Sequence, residues 1–150
     1  RSVSEIHGNR KKLRCIGCER RWDRESFPNW NVLSNQKRST KEFPPVCPKC
    51  RDFVKTDTVM FGEPIPPGIL FECFQRASQS DCILVIGTSA TVYPAARFPE
   101  DISSSGGVII EANPSATPLS KIATHILRGP TGITLPALVA RIKAIKKEFI

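Results

Sequence analysis

CILVIGTS, residues 82–89, is the stretch of sequence that decides the fold. Its apolar run, Cys82 to Ile86, is typical of a strand in a parallel sheet, because such a strand is covered on both faces. The run stops at Gly87-Thr88-Ser89, a composition typical of a turn. We therefore expect a buried strand that ends at once in a tight loop.

Two further strands are predicted after this one. A turn at residues 103–107 precedes a second apolar run, Val108 to Asn113, and residues 124–128 form a weaker third run. Helices are predicted on either side of the strands. Apolar residues recur with a helical period from Gly68 to about Gln79, and a last helix begins at about Thr134, as N-cap, with Pro136 in its first turn. This alternation predicts part of a parallel, doubly wound α/β sheet.

Two Cys-x-x-Cys pairs lie ahead of the sheet. Cys15 and Cys18 form the first, Cys47 and Cys50 the second, and 28 residues separate the pairs. Four thiolates at such spacing are typical of a tetrahedral Zn²⁺ site, and a complete set of four leaves no open position for water. The prolines and turn-forming residues between the pairs predict short strands and loops that bury little apolar surface. We therefore predict a structural zinc site that stabilises this module.

The remaining cysteines, Cys73 and Cys82, lie in apolar runs and are expected in the core. Disulfides are the alternative to metal ligation. However, the sequence shows neither a signal peptide nor the roughly 20 apolar residues that cross a bilayer. We expect no membrane segment and a cytoplasmic protein, where a reducing environment favours metal ligation.

The net charge of +8 is unevenly distributed. Residues 1–55 hold 14 Lys and Arg against 6 Asp and Glu, whereas residues 56–150 hold 8 of each. The basic excess suggests either nucleic acid or an acidic partner, or simply a solvated face on a small zinc module. Few aromatic residues suited to base stacking lie there (Trp22, Phe27, Trp30, Phe43). Nucleic acid is therefore not expected as the primary ligand.

Small and polar residues follow each predicted strand: Gly87-Thr88-Ser89, Asn113, and Gly129-Pro130-Thr131. Ligands of open α/β sheets bind beyond the carboxyl ends of the strands, and such residues let a backbone approach a phosphate or a ribose. Ordinary turns use the same residues. Their recurrence at successive strand ends favours a nucleotide site.

One segment joins the two parts of the chain. Val59-Met60-Phe61-Gly62-Glu63-Pro64 predicts either a plain strand and turn or an exposed extended edge that pairs with a substrate peptide through main-chain hydrogen bonds.

Together these motifs closely resemble the sirtuin family of NAD-dependent protein deacylases. The resemblance rests on Glu5-Ile6-His7-Gly8, on the two cysteine pairs, on residues 59–63, on Gly87-Thr88-Ser89 with Val92-Tyr93-Pro94-Ala95, and on Asn113. The match is collinear from Glu5 to about Leu138. It implies a partial Rossmann-like parallel sheet with helices, and a small four-cysteine zinc-binding module inserted into it.

The resemblance also implies an activity and the residues that carry it. Such a protein removes acyl groups from the lysines of a protein or peptide, with NAD and Zn²⁺ as cofactors, and releases nicotinamide and O-acyl-ADP-ribose. His7 is the implied catalytic base. The implied substrate-binding residues are Val59, Phe61, Gly62 and Glu63, and the implied cofactor-binding residues are Gly87, Thr88, Ser89, Asn113 and Thr131.

Three motifs of the family that precede its histidine are absent from this sequence: the Gly-Ala-Gly-x-Ser segment, the Pro-x-Phe-Arg loop and the Thr-Gln-Asn-x-Asp motif. We therefore expect a C-terminal portion that lacks the N-terminal NAD-binding half and is inactive alone. The expected layout is a catalytic-His segment (1–12), a zinc module (13–56) and the C-terminal part of the NAD-binding domain (57–150). A zinc-ribbon module that binds nucleic acid and a non-catalytic interaction module are the alternatives.

Overall fold

The computed structural model of the chain describes residues 3–27 and 44–148. Within them the strands are β1 (Lys12–Cys15), β2 (Arg21–Asp23), β3 (Val54–Thr56), β4 (Cys82–Ile86), β5 (Val108–Asn113) and β6 (His125–Arg128), and the α-helices are α1 (Pro67–Ser78), α2 (Arg97–Ser104) and α3 (Thr131–Glu148). The chain divides into two compact units, Arg1–Leu70 and Phe71–Ile150. None of the described helices is long and apolar enough to cross a membrane.

The first unit is built on an antiparallel sheet in the order β2-β1-β3. Leu13 of the central strand pairs with Trp22 on one side and Thr56 on the other. Among the described residues of this unit the apolar core is small, and its buried members are Leu13, Cys15, Phe27, Cys47 and Val54. These elements confirm the predicted short strands, while Trp30 and Phe43 lie outside the described residues. A core of this size provides limited stability without a cross-link or a metal.

The second unit contains a parallel sheet in the order β4-β5-β6. The central strand pairs Ile109 with Ile83 of β4, and Ile110 with His125 of β6. Helix α2 provides the crossover that two neighbouring parallel strands require. Ile109 and Ala112 of β5 are fully buried. The three predicted strands and the α/β class are thereby confirmed.

Strand β4 is less buried than its sequence predicts. Val85 is buried, but Leu84 and Ile86 are 40% and 44% exposed. Cys82 is also exposed and Cys73 is half-buried, so the expectation that both lie in the core is wrong. The exposed residues alternate along the strand, so they share one face of the sheet. The described residues cover the opposite face only, and the prediction of coverage on both faces was therefore wrong.

The helices agree with prediction except in two places. Helix α1 matches its predicted position, but α2 was not predicted, and it shortens the turn expected at residues 103–107. Helix α3 begins at Thr131 rather than after Thr134. The carbonyl oxygen of Pro130 accepts hydrogen bonds from Ile133 and Thr134, 2.9 and 3.0 Å, so the first turn forms directly after β6. Pro136 therefore lies inside the helix, where it lacks the N–H that would bond to the fourth residue before it.

Candidate metal centre and cofactor site

Four cysteine sulfurs of the first unit form one cluster. The ligand atoms of Cys15, Cys18, Cys47 and Cys50 all lie within 4.8 Å of one another. Two of the sulfur–sulfur distances are 3.3 Å, between Cys15 and Cys50, and 3.7 Å, between Cys18 and Cys47. A tetrahedral Zn²⁺ with bonds of about 2.3 Å places its ligands about 3.8 Å apart, so the cluster has the size of a zinc site. A disulfide is much shorter, at about 2.05 Å.

The two halves of the cluster have the same backbone shape. After each pair the chain turns back, so that Glu19 donates to the Cys15 carbonyl and Arg51 to the Cys47 carbonyl, at 3.2 and 3.0 Å. Both turning residues have positive φ angles, 56° and 67°, a region that favours glycine. The local sequence thus folds into two equivalent knuckles that each direct two sulfurs toward one point.

The protonation of the sulfurs also suits a metal. Burial raises the pKa of the Cys47 thiol, but the backbone N–H groups of Cys50 and Lys49 lower it to about 6. The N–H of Asp52 lowers the pKa of Cys50, yet contact with the Cys15 sulfur and burial raise it to about 12. Cys47 is therefore more readily deprotonated than Cys50. A Zn²⁺ ion bound by the four cysteines would favour the thiolate form of all four and would offset two of their four negative charges.

His7 lies on an exposed turn near this module. The turn is closed by a 2.8 Å hydrogen bond from Gly8 to the Glu5 carbonyl. The carbonyl oxygen of His7 accepts a 3.0 Å hydrogen bond from the N–H of Val59. The structure thus brings together the predicted catalytic residue and the first predicted substrate residue. Their separation in sequence gives no hint of this contact.

The other predicted substrate residues form a tight turn. Glu63 donates to the Met60 carbonyl at 3.0 Å, and Gly62 has a φ of 80°. These features are those of a type II turn, with glycine at the position that requires positive φ. Phe61 lies at the tip and is 95% exposed. The predicted turn is confirmed, whereas residues 57–66 form no strand.

In the second unit, two of the predicted cofactor residues meet at the carboxyl edge of the sheet. The side-chain amide of Asn113 donates to the carbonyl oxygen of Thr88 at 2.7 Å, and its oxygen accepts from the Ser115 N–H at 3.1 Å. Gly87 donates to the Ala112 carbonyl at 3.0 Å and has a φ of 58°. Asn113 thus ties the loop after β4 to the loop after β5. It retains one amide hydrogen and one lone pair for a ligand.

The remaining predicted cofactor residues are placed differently. Ser89 is exposed and shares a 2.8 Å hydrogen bond with the hydroxyl of Thr91. Thr131 is the first residue of α3, directly after the loop that follows β6. Because the carboxyl ends of parallel strands meet at one edge, all of these residues belong to the same side of the sheet.

An ion pair close to this edge of the sheet, between Glu111 and Arg128, was not predicted from the sequence. Glu111 of β5 is 1% exposed and accepts hydrogen bonds from the hydroxyls of Thr117 and Ser120. Arg128 of β6 lies 3.3 Å from its carboxylate and also donates to the carbonyls of Asn113 and Ser115. The sequence did contain a signal for this pair. Glu111 interrupts the otherwise apolar strand β5, and a buried charge needs partners.

The pKa of Glu111 reflects these partners. Burial raises the pKa, but the hydroxyls of Ser120 and Thr117, together with the Arg128 guanidinium, outweigh burial and hold the pKa below the usual value for glutamate. Glu111 therefore remains ionised, and Arg128 fastens the loop that begins at Asn113.

Two features characterise the protein. One is a cluster of four cysteines with the size of a zinc site, and the other is a parallel α/β sheet with small and polar residues at the ends of its strands. The model of the Sir2 family matches residues 1–94. The chain belongs to the Sir2 family.

Individual relatives agree with this assignment. The chain is 37% identical over 148 residues to an NAD-dependent protein deacylase of Thermococcus kodakarensis, with 99% of this chain and 56% of that protein covered. A crystal structure of a Sir2 homologue–NAD complex matches with a TM-score of 0.80 and 35% identity, covering 97% of this chain and 52% of the other. The structure of Sir2Af2 bound to a myristoylated histone peptide matches with a TM-score of 0.74 and 34% identity, covering 99% and 60%. The chain thus spans about half the length of the relatives it matches.

Proposed function

We propose that this chain provides the catalytic histidine, the zinc module and part of the cofactor site of an NAD-dependent protein-lysine deacylase. The observation that carries the proposal is the 3.0 Å hydrogen bond from the Val59 N–H to the His7 carbonyl. It places the proposed general base beside the segment proposed to hold the acyl-lysine. The names of the relatives, NAD-dependent protein deacylases, support the same activity.

The residues of this chain have distinct roles in that reaction. NAD supplies a ribose carbon that becomes electrophilic as nicotinamide leaves. The exposed imidazole of His7 accepts a proton from a ribose hydroxyl. The Val59 N–H is already bonded to His7, so its carbonyl oxygen is the group that accepts the lysine amide N–H. Phe61 lines the acyl-lysine, and the backbones of Gly62 and Glu63 pair with the peptide.

The cofactor residues act from the carboxyl edge of the parallel sheet. The backbone of Gly87 would allow a close approach of the cofactor, and the hydroxyls of Thr88 and Ser89 would bind its ribose and phosphates. Asn113 would use its remaining amide hydrogen and lone pair to bind the adenosine ribose, and Thr131 would contribute to the adenine site. The zinc site leaves no position for substrate, so the metal stabilises the module and takes no part in the chemistry.

A further polypeptide segment, equivalent to the N-terminal half of the relatives, completes the site in this proposal. Apolar side chains on β4 and α3 of the second unit support it, because monomeric proteins rarely expose large contiguous apolar patches. The exposed large apolar residues of these two elements are Leu84, Ile86, Ile133, Val139, Ile142 and Ile145. We further propose a cytoplasmic location, because none of the six cysteines forms a disulfide and a metal site of four thiolates suits a reducing compartment.

The test is nicotinamide release from NAD in the presence of an acetyl-lysine peptide, with the N-terminal half of a Sir2 relative added. We expect His7→Asn to lower the rate by about 100-fold or more. His125→Asn is the matched control, since His125 is exposed and is the other histidine of the chain. Absence of nicotinamide release by the supplemented wild-type chain would contradict the proposal.

A nucleic-acid-binding zinc module is the second candidate. Arg10, Lys11 and Arg20 are exposed on the first unit, which favours it. Against it, Trp22 packs edge-on against the buried Phe27, with ring centroids 5.3 Å apart, so these aromatic rings are engaged in the core. This candidate predicts RNA or DNA binding that weakens steeply with salt, survives His7→Ala and fails when Arg10, Lys11 and Lys12 are reversed in charge.

A further inference from the structure

Arg14 lies on β1 between the core residue Leu13 and the metal ligand Cys15, and its side chain is 7% exposed. A buried guanidinium requires charged or polar partners. Arg14 has two, both carboxylates: Nε lies 3.2 Å from Asp57, and Nη2 donates to Glu63 at 2.7 Å. One buried side chain therefore contacts both ends of residues 57–63.

Glu63 connects this arginine to the turn that carries Phe61. One carboxylate oxygen accepts from Arg14, while the other accepts from Lys55 and from the Met60 N–H, both at 2.9 Å. The N–H of Glu63 in turn donates to the Met60 carbonyl at 3.0 Å. Two hydrogen bonds between Met60 and Glu63 thus close the turn, one within the backbone and one to the Glu63 carboxylate. Arg14 holds that carboxylate in position.

Asp57 anchors the other end of the segment. Its side chain is fully buried, and its N–H donates to the Lys12 carbonyl at 3.0 Å. Arg21 contributes a second ion pair to Asp57, at 3.1 Å, but Arg21 has no recorded contact with Glu63 among the described residues. Arg14 is therefore the arginine that bridges the two carboxylates.

We propose that Arg14 is a positioning residue, which transmits the order of the zinc module to the substrate-binding turn. It deepens the proposed function, on which it rests only for the statement that this turn binds the acyl-lysine peptide. Zinc holds the end of β1 through Cys15, β1 holds Arg14, and Arg14 holds the Met60–Glu63 turn through Glu63. The structural metal thereby governs peptide affinity without touching the peptide.

Backbone amide hydrogen exchange on the zinc-loaded chain tests the proposal. Arg14→Gln is expected to raise the exchange rates of the Met60 and Glu63 amides about tenfold, because it removes the charge-assisted hydrogen bond that holds the Glu63 carboxylate in position to accept from the Met60 N–H. Arg21→Gln is the matched control, and it is expected to leave both rates within about twofold of wild type. Unchanged rates in Arg14→Gln, or equal increases in both variants, would overturn the proposal.

A second variant keeps the test decisive if Arg14→Gln does not fold. Glu63→Gln leaves the pair of Arg14 with Asp57 intact and still offers an oxygen to the Met60 N–H, but it removes the charge that Arg14 holds. The same selective increase in the exchange rates of the Met60 and Glu63 amides is expected. Protection equal to that of wild type would overturn the proposal.

Affinity for an acetyl-lysine peptide connects the turn to function. Arg14→Gln is expected to weaken binding about tenfold while one zinc per chain is retained, and Arg21→Gln is expected to bind as wild type does. If the wild-type chain binds no peptide even with the N-terminal half of a Sir2 relative added, the proposed function loses its support, while the exchange rates still decide the role of Arg14.

Discussion

The N–H of Val59 donates a 3.0 Å hydrogen bond to the carbonyl oxygen of His7. Two segments more than fifty residues apart in sequence are thereby joined at the backbone, in a way that does not depend on either side chain. Gly8 makes this approach possible. A Cβ atom at Gly8 would lie 1.6 Å from the carbonyl oxygen of Asp57, and the φ of Gly8 is 73°.

Gly8→Ala is therefore expected to destabilise the first unit by about 3 kcal/mol or more, because backbone must move and a left-handed conformation is strained. Gly62→Ala is the control. Gly62 also has positive φ, 80°, but nothing lies within 4 Å of its added Cβ, so a cost of about 1 kcal/mol is expected. Denaturant unfolding followed by tryptophan fluorescence measures both costs. Equal losses of unfolding free energy in the two variants would show that the close approach of Gly8 to the Asp57 carbonyl does not affect stability.

Removal of zinc is expected to unfold the first unit, since its small apolar core includes two of the four metal ligands. The apparent free energy of structural zinc sites is of order 10 kcal/mol, so the loss exceeds what this core supplies. Cys47→Ser should have the same effect, whereas Cys82→Ser should retain one zinc per chain, because Cys82 is exposed and lies outside the cluster. Metal analysis and tryptophan fluorescence provide the measurement. A chelated chain with native fluorescence would contradict this expectation.

Glu111→Gln is expected to destabilise the second unit by about 2 kcal/mol at neutral pH, because the carboxylate accepts two hydroxyl hydrogen bonds and pairs with Arg128. The folded-state pKa of Glu111 is lowered from its ordinary value of 4.5. The contribution of its charge is therefore fully present above pH 4.5 and is lost as pH falls through the folded-state pKa.

The difference in unfolding free energy between wild type and Glu111→Gln should consequently be constant near neutral pH and shrink as pH falls below 4.5. Exchange rates of β5 amides at several pH values report it. Glu72→Gln serves as the control, because Glu72 forms an exposed helical pair with Arg76 and such pairs contribute little. A difference that is independent of pH would contradict the role given to the charge.

Asn113→Ala is expected to weaken ADP-ribose binding about tenfold, because it frees the loop after β4 from the loop after β5. Asn113→Asp distinguishes the hydrogen bond to Thr88 from the one to Ser115. A carboxylate can still accept from the Ser115 N–H but cannot donate to the Thr88 carbonyl. If the link to Thr88 is the important one, both variants lose affinity in calorimetric titration. An Asn113→Asp chain with wild-type affinity would show that the Thr88 link is dispensable.

Local patterns predicted much of the fold. The apolar runs Cys82–Ile86 and Val108–Asn113 became parallel neighbours, and the two cysteine pairs converged on one point. The wrong predictions for β4 and for α3 have different causes. A periodic pattern shows that residues are apolar but not what covers them, so the exposed face of β4 was not foreseen. The start of α3 was misplaced because a helix tolerated Pro136 in its interior.

Site residues divide in the same way. The cysteines and the strand-end residues were predicted from their own patterns, because their chemistry is local to each motif, whereas His7 was assigned through the resemblance to the sirtuin family. The two ion-pair networks were not predicted, because Arg14, Asp57 and Glu63, like Glu111 and Arg128, are far apart in the chain. The roles of the cofactor and substrate residues, and the boundaries at residues 13–56, stay predictions.

Sequence alone predicted most of the strands and helices, the four-cysteine cluster and the family, since each depends on residue type and on spacing along the chain. Tertiary structure decided that Val59 is bonded to His7, that Asn113 spans two loops, and that Arg14 bridges Asp57 and Glu63. These contacts form only when a buried polar group must find its partner in the folded chain, because burial without a partner costs more free energy than the contact itself supplies.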